Sequence, residues 1–418
     1  MKVFKFGGAS VKDAAGVVNV GEVLSTLNEK DLIIVISAMG KMTNALEVVV
    51  TDYFTNPQNL EGSVQIVYDY HHAIVQELFP NASHTIFGKV KSLFQEMRTF
   101  IDTTKSQNHA YVYDQVVSYG ELVSSTIVSA YLTDLGISNT WLDVRSCIKT
   151  DGNYRDAKVD WEQTQLHISA TVANRGITVT QGFLGAEQEN NFTTTLGREG
   201  SDYTAAIFAY CLNAECVTIW KDVPGVLNAD PRYFEKTTLL NHISYREAIE
   251  LAFYGASVIH PKTLQPLQRK EIPLYVKSFI NPTDAGTCVG KGVALDPMTS
   301  CFILKRNQVL ISLSSLDFSF IMEDSISEVF LWLHEYKMKV ELIQNSAISF
   351  SVCVDNKFDN LAPLLAKLRA TFEVKWNEGV TLYTIRHSKP AEIEALVKNK
   401  KVLLKQESRE TVQLVIKE

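Results

Sequence analysis

Several short segments carry residues whose types and order suit chemistry on an anion. Lys5-Phe6-Gly7-Gly8-Ala9-Ser10 joins a cation to two glycines between an apolar run and a helical pattern. A Gly-Gly turn lets the backbone approach a ligand closely, and N–H groups at the next helix start attract a phosphate. The same residues also describe a tight turn with a solvent-facing lysine. Neither the GxxxxGK[ST] spacing of a phosphate-binding loop nor GxGxxG occurs in the chain.

Thr193-Thr194-Thr195-Leu196-Gly197-Arg198-Glu199-Gly200-Ser201-Asp202 packs hydroxyls, glycines, a guanidinium and a carboxylate ahead of a helix. Ser201 or Asp202 would cap that helix. Capping does not require three threonines and an arginine, and Arg198 can grip a carboxylate through two parallel hydrogen bonds. Trp220-Lys221-Asp222-Val223-Pro224-Gly225-Val226, followed by Asp230-Pro231-Arg232, reads as a turn beyond a strand, where parallel sheets bind ligands. Ser37 to Asn44 is another strand-to-helix junction rich in small and hydroxyl residues. Glu121, in Ser118-Tyr119-Gly120-Glu121, reads by itself as a solvated carboxylate. His260-Pro261 reads as a helix start rather than a general base, since no nucleophile spacing accompanies it.

The elements that must position these residues alternate. Apolar runs at 3–6, 31–37, 140–144, 177–183, 216–220 and 274–279 predict strands, several of them buried on both faces. Amphipathic stretches at 13–28, 44–53, 62–78, 89–104, 113–135, 161–174, 202–213 and 244–254 predict helices. Alternating strands and helices imply an α/β domain with a largely parallel sheet covered by helices on both faces. Glycine and proline between 285 and 300 predict a linker. Beyond it, strands at 309–313, 339–343, 348–354, 374–376, 379–385, 402–406 and 411–416 are expected. With helices at 325–336, 361–372 and 391–398 they make two small βαββ-type units, interleaved in the tail.

Composition narrows the function classes. Of 418 residues, 46% are hydrophobic and 21% charged, and 40 Lys and Arg against 47 Asp and Glu leave a net charge of −7. That balance offers no general pull on nucleic acid or anionic lipid. The six cysteines lack zinc or redox spacing and are expected to be reduced. No signal-peptide pattern or membrane-length apolar run is seen, so a soluble, cytoplasmic protein is expected.

Taken together and in order, KFGGAS at 5–10, SAMGKMTN at 37–44, SYGE at 118–121, TTTLGREGSDYTA at 193–205, WKDVPGV at 220–226, ADPR at 229–232 and YGASVIHP at 254–261 resemble the aspartate kinases of the amino-acid kinase family. The resemblance implies a catalytic domain over 1–298 and tandem ACT-like regulatory modules over 299–418, the second of them shortened. It implies transfer of the γ-phosphoryl group of MgATP to the β-carboxylate of L-aspartate, the first step towards lysine, threonine and methionine. By matching positions, Lys5 would stabilise the transferring phosphoryl group and Asp202 would hold the lysine. Gly7, Gly8 and Ser10 would cradle the phosphates, while Lys221, Asp222, Asp230 and Arg232 would border the nucleotide. Arg198 would take a carboxylate of aspartate, Glu121 its ammonium, and Ser37, Thr43 and Ser201 would complete the pocket. Mg²⁺ would be held mostly by ATP phosphates and water, and the tail would join copies of the chain into a homodimer or higher homo-oligomer. No nucleic-acid or membrane partner is implied.

Ala9 stands where the resembling sequences usually carry Thr or Ser, Glu199 replaces a common Gly, and Ser257 occupies a position where lysine is frequent. The tail loses the usual glycine near Glu323–Phe330 and has Ala347 where lysine-sensitive members often have Glu. Two alternatives stand beside the main reading: an amino-acid kinase for glutamate or N-acetylglutamate, and a catalytically weak binding protein on the same fold.

Overall fold

The computed structural model describes residues 1–172, 176–256, 259–292, 294–317 and 320–417. Two compact units emerge. Met1–Val226, Leu239–Ile249 and Val258–Leu295 make the first; Leu227–Thr238, Glu250–Ser257 and Asp296–Glu418 make the second. The last crossing lies close to the boundary expected at 298, but two earlier segments expected in the first domain belong to the second unit.

The first unit contains β1 (Lys2–Phe6), β2 (Leu32–Ile36), β3 (Thr140–Leu142), β4 (Lys149–Thr150), β5 (Ile177–Gln181), β6 (Leu184–Glu187), β7 (Thr193–Thr195), β8 (Val217–Lys221), β9 (His242–Ser244), β10 (Leu274–Ser278) and β11 (Thr287–Gly290). Eight of them form one sheet in the order β3-β5-β2-β1-β8-β10-β11-β9. All its neighbours run parallel except β10 with β11. β2, Leu-Ile-Ile-Val-Ile, is buried at every position. Its Leu32, Ile34 and Ile36 join a core with Val17 and Val20 of the helix Ala14–Leu27 and Val123 and Ile127 of the helix Tyr119–Asp134. Ile33 and Val35, on the alternate face, are equally buried, and the helix Gly200–Leu212 packs on β1, β2 and β8. A strand with no polar face is stable only when covered on both sides.

Several local expectations change. The stretch read as one helix over 113–135 is two, His109–Val117 and Tyr119–Asp134, joined at Ser118. The Ser118 hydroxyl donates to the Gln115 carbonyl at 2.7 Å. The helix expected to reach Asn174 spans Trp161–Thr171, and Asn174 lies outside the described residues. The expected linker contains β11, because Gly286 (φ +69°) turns the chain back and Thr287 and Val289 bury against β10. Thr193–Thr195, read as functional hydroxyls, form β7 of a three-stranded sheet β4-β6-β7. All three side chains are engaged there. Thr193 accepts from Arg145, Thr194 meets Thr150, and Thr195 donates to Asp114. His260 caps the helix Pro261–Lys270, accepting from the Lys262 N–H. All six cysteines are free thiols.

The second unit holds one six-stranded sheet in the order β13-β14-β12-β15-β17-β16. Its strands are β12 (Cys301–Ser314), β13 (Lys339–Asn345), β14 (Ser349–Asp355), β15 (Glu373–Arg386), β16 (Lys401–Glu407) and β17 (Thr411–Lys417). Every neighbouring pair is antiparallel. β12, helix Glu323–Glu335, β13 and β14 make one βαββ half; β15, helix Pro390–Val397, β16 and β17 make the other. β12 and β15 pair along nearly their whole lengths, with register shifts near Lys305 and Gln308, and so interleave the halves. Val329, Leu333, Leu364 and Leu368 of helices Glu323–Glu335 and Leu361–Arg369 bury against Ile311, Leu313 and Val352.

Candidate active site

Four adjacent parallel strands of the first unit end at one cavity of about 500 Å³. Lys5 near the end of β1, Ser37 directly after β2, Phe183 beyond β5 and Lys221 at the end of β8 all line it. Ligands in open parallel sheets bind beyond the carboxyl ends of strands, at the point where strand order reverses. β1 is that point, with β2 on one side and β8 on the other.

Lys5 Nζ lies 2.6 Å from Asp202 Oδ1, and both side chains are largely buried. Asp202 occupies the first turn of the helix Gly200–Leu212, where the helix dipole favours negative charge. The cap expected at Ser201 or Asp202 falls at Glu199, whose backbone is left-handed and whose side chain makes no capping bond. Ser201 and Asp202 are thereby left on the cavity lining. The pair places a positive ammonium at the cavity floor and fixes its direction through a charge-assisted contact.

Gly8 also lines the cavity. A Cβ built on it would sit 2.9 Å from both the Ala38 and Gly40 carbonyl oxygens, and its own carbonyl accepts from the Gly40 N–H at 3.0 Å. Only glycine lets these two strand-end turns lie so close. Gly7 lies beside Lys5 Nζ, 3.2 Å from the position of an added Cβ. Ser10 serves the turn itself: its N–H donates to the Gly7 carbonyl at 2.9 Å and its buried hydroxyl to the Trp220 carbonyl at 3.4 Å.

Glu121 is 3% exposed, at the start of the helix Tyr119–Asp134. Burial pushes its carboxyl up to about 8, against the backbone N–H groups of Ala38 and Glu121 and the charge of Lys5, which pull it down. Its Oε2 has no hydrogen-bond partner among the described residues. A buried carboxyl with an unused oxygen at a cavity wall is set to receive a donor.

Thr43 and Arg198 join the same lining, and the Arg198 guanidinium makes no ion pair among the described residues. Three further nucleotide-side expectations are not among the residues that line this cavity. Asp222 is exposed and off the lining. Asp230 and Arg232 belong to the second unit, where the guanidinium donates to both carboxylate oxygens at 2.6–3.0 Å. Ser257 lies outside the described residues. Glu199 faces the cavity with its Oε2 buried and unpartnered among the described residues, while Ala9 is exposed.

Sequence reasoning missed Tyr113, Asp114 and Arg155. Arg155 lines the cavity, its guanidinium 4.2 Å above the Tyr113 ring. Asp114 is fully buried, and its carboxylate accepts from the Arg155 N–H at 3.0 and 3.2 Å, the Thr195 N–H at 2.8 Å and the Thr195 hydroxyl at 2.8 Å. Burial pushes this carboxyl up to about 6 despite those donors. Nothing local marks these residues in the sequence: Tyr113 and Asp114 lie within a helical pattern, and Arg155 within an ordinary turn-rich stretch. Among the described residues, no group of three His, Cys, Asp or Glu could hold a metal ion, and no helix is long and apolar enough to cross a membrane.

Comparison with known proteins gives a consistent set. A sequence model of the amino acid kinase family matches residues 1–278. The chain is 33% identical over 396 residues to lysine-sensitive aspartokinase 3 of Escherichia coli, covering 92% of this chain and 86% of the relative. It is 30% identical over 367 residues to chloroplastic aspartokinase 1 of Arabidopsis thaliana, covering 84% and 63%. Among solved structures, E. coli aspartokinase III in complex with lysine and aspartate aligns with a TM-score of 0.84 at 29% identity over 99% of this chain and 95% of that one. The same enzyme in complex with aspartate and ADP aligns with a TM-score of 0.80 at 28% identity, over 100% and 96%.

Proposed function

The chain belongs to the amino acid kinase family, and we propose that within it this protein is an aspartate kinase, moving the γ-phosphoryl group of ATP to the β-carboxylate of L-aspartate to give 4-phospho-L-aspartate. The observation that carries the reading is a single cavity at the strand ends that joins the Lys5–Asp202 pair to Arg198 and Glu121.

The nucleophile is a carboxylate already ionised at neutral pH, so no general base is needed. The barrier lies in bringing two anions together and in the charge that spreads over the transferring phosphoryl group. Lys5 balances that charge, and Asp202 keeps its ammonium aimed. The close Gly7–Gly8 turn leaves room for phosphate oxygens against backbone. Arg198 takes one carboxylate of aspartate and Glu121 its ammonium, with the hydroxyls of Ser37, Thr43 and Ser201 completing the pocket. Lys221 borders the nucleotide side.

Mg²⁺ would be held here mostly by nucleotide phosphates and water, since it dehydrates reluctantly. When bound, it would supply positive charge to offset that of the phosphates.

The second unit is proposed to join two copies of the chain. Ile343 on the edge strand β13, and Leu316, Phe320, Met322 and Ile348 nearby in sequence, are exposed apolar side chains. Where such groups form one patch, they mark an association surface.

Trapping with hydroxylamine tests the reaction. With MgATP, L-aspartate should yield a hydroxamate while L-glutamate and N-acetyl-L-glutamate do not. Signal with either of the latter alone would move the substrate assignment. Silence with all three from folded protein would favour a binding protein on this fold.

A further inference from the structure

The charges lining the cavity leave one cation unassigned. Lys5, Arg155, Arg198 and Lys221 face Glu121, Glu199 and Asp202, four basic side chains against three acidic ones. Asp202 is occupied by Lys5. Among the described residues, neither guanidinium has an ion pair, and the side-chain N–H groups of Arg155 have no hydrogen-bond acceptor. A guanidinium lying over an aromatic face keeps its in-plane donors available, and the Tyr113 ring holds Arg155 in that manner.

The backbone at Arg155 points the same way. Its φ is +72°, a left-handed conformation that glycine adopts freely and a residue with a Cβ does not. Strain of this kind is retained where the surroundings over-determine it, commonly at ligand sites. The surroundings do so here. Asp114 binds the Arg155 N–H and Thr195 with one carboxylate, and the Ala157 N–H donates to the Thr195 carbonyl at 3.0 Å. Lys262 bridges Asp156 at 2.7 Å and the Leu196 carbonyl at 2.9 Å. A Cβ on Gly197 would meet Asp156 Oδ1 at 2.5 Å, so the two loops lie in direct contact. The loop bearing Arg155 is therefore fastened to the loop bearing Arg198.

We propose that Arg155 is a specificity-determining residue that binds the carboxylate of L-aspartate not held by Arg198. A dicarboxylic amino acid then meets two guanidiniums on loops locked together by Asp114, and Arg155 also offsets the carboxylate that Glu199 brings to the lining. This inference rests on the aspartate kinase reading above.

Wild type, Arg155→Gly and Arg155→Lys are compared by hydroxamate formation, varying L-aspartate at saturating MgATP and then MgATP at saturating L-aspartate. Arg155→Gly should raise the aspartate KM at least tenfold and leave the ATP KM within twofold. Its thermal midpoint should be no lower than wild type, because glycine suits that φ. Arg155→Lys should fall between the two, keeping the charge but losing the planar fork. An unchanged aspartate KM in Arg155→Gly, or a rise confined to ATP, would overturn the assignment while leaving the activity intact. A wild type silent with aspartate would overturn the aspartate kinase reading and this inference with it.

Discussion

Two lysine–carboxylate pairs, one in each unit, share a chemistry and differ in surroundings. Lys5–Asp202 sits at the end of β1 with both side chains largely buried. Lys305–Glu341 joins β12 to β13 with comparable burial, and Glu341 takes Lys339 as well at 2.9 Å. Burial pushes the Lys305 ammonium below its ordinary value, and Glu341 opposes that. Around the second pair the charges satisfy one another inside the sheet. Around the first, Glu121 Oε2 and Glu199 Oε2 are buried without partners, and Arg155 and Arg198 are unpaired among the described residues. A buried ion pair thus marks a site only where its neighbours are left unsatisfied at a cavity.

Substitution of the two lysines gives the largest contrast. Lys5→Ala should lower kcat by at least about a thousandfold, since the phosphoryl charge loses its cation, with the fold retained by circular dichroism. Lys305→Ala should leave kcat near wild type and instead cost about 1–3 kcal/mol of stability, since Glu341 loses its buried partner and keeps only Lys339, read from denaturant melts. Equal loss of turnover in both would break the comparison.

Gly8→Ala comes next. Its methyl group would meet two backbone carbonyl oxygens at 2.9 Å, so the turns beside Lys5 must part. A fall in kcat of about ten- to a hundredfold is expected from misplacement at this scale; a normal rate would show that their close approach is dispensable.

Glu121 sharpens the comparison through pH. Its folded value of about 8 lies above the ordinary carboxyl value of 4.5. Between those two, the folded protein holds a proton the unfolded chain has lost, so stability falls as pH rises through that window. Glu121→Gln should flatten this decline in thermal melts. An ammonium ligand favours the ionised form, so aspartate binding near pH 7 should release somewhat less than one proton per site and tighten towards pH 8. Calorimetry in buffers of different ionisation enthalpy measures that release; none at pH 7 would remove Glu121 from the ammonium site.

The smallest effect on catalysis is expected from Ile343→Asp, on the exposed edge of the second unit. Sizing chromatography should show a shift from dimer to monomer while kcat stays within threefold. An unchanged elution would place self-association elsewhere.

What the sequence discloses follows from how far each signal reaches. Strands buried on both faces are visible as continuous apolar runs, and glycine and hydroxyl residues at their ends mark Lys5, Ser37 and the 193–202 segment. Partnership across the chain is less visible. The three threonines of β7 look like ligand groups until their partners Arg145, Thr150 and Asp114 are in place. The break at Ser118 is hidden because both flanking stretches favour helix. Arg155 is hidden because what distinguishes it is a backbone angle and a ring beneath it, neither written in local composition. Within 285–300, punctuation outweighed the short alternation that becomes β11.

The second unit is assembled from stretches far apart in the chain. Phe234 lies 5.3 Å from Phe302 and Arg306 lies over the Tyr233 ring, while β15 gains its other neighbour only when β17 arrives. As a ribosome delivers the chain, Leu227–Thr238 emerges early and must wait for β12, and the six-stranded sheet is complete only with β17. Long-range pairing of this kind slows folding. The eight-stranded sheet, complete in sequence by Gly290, can therefore close first, and the arrival of β17 decides when the second unit becomes solid.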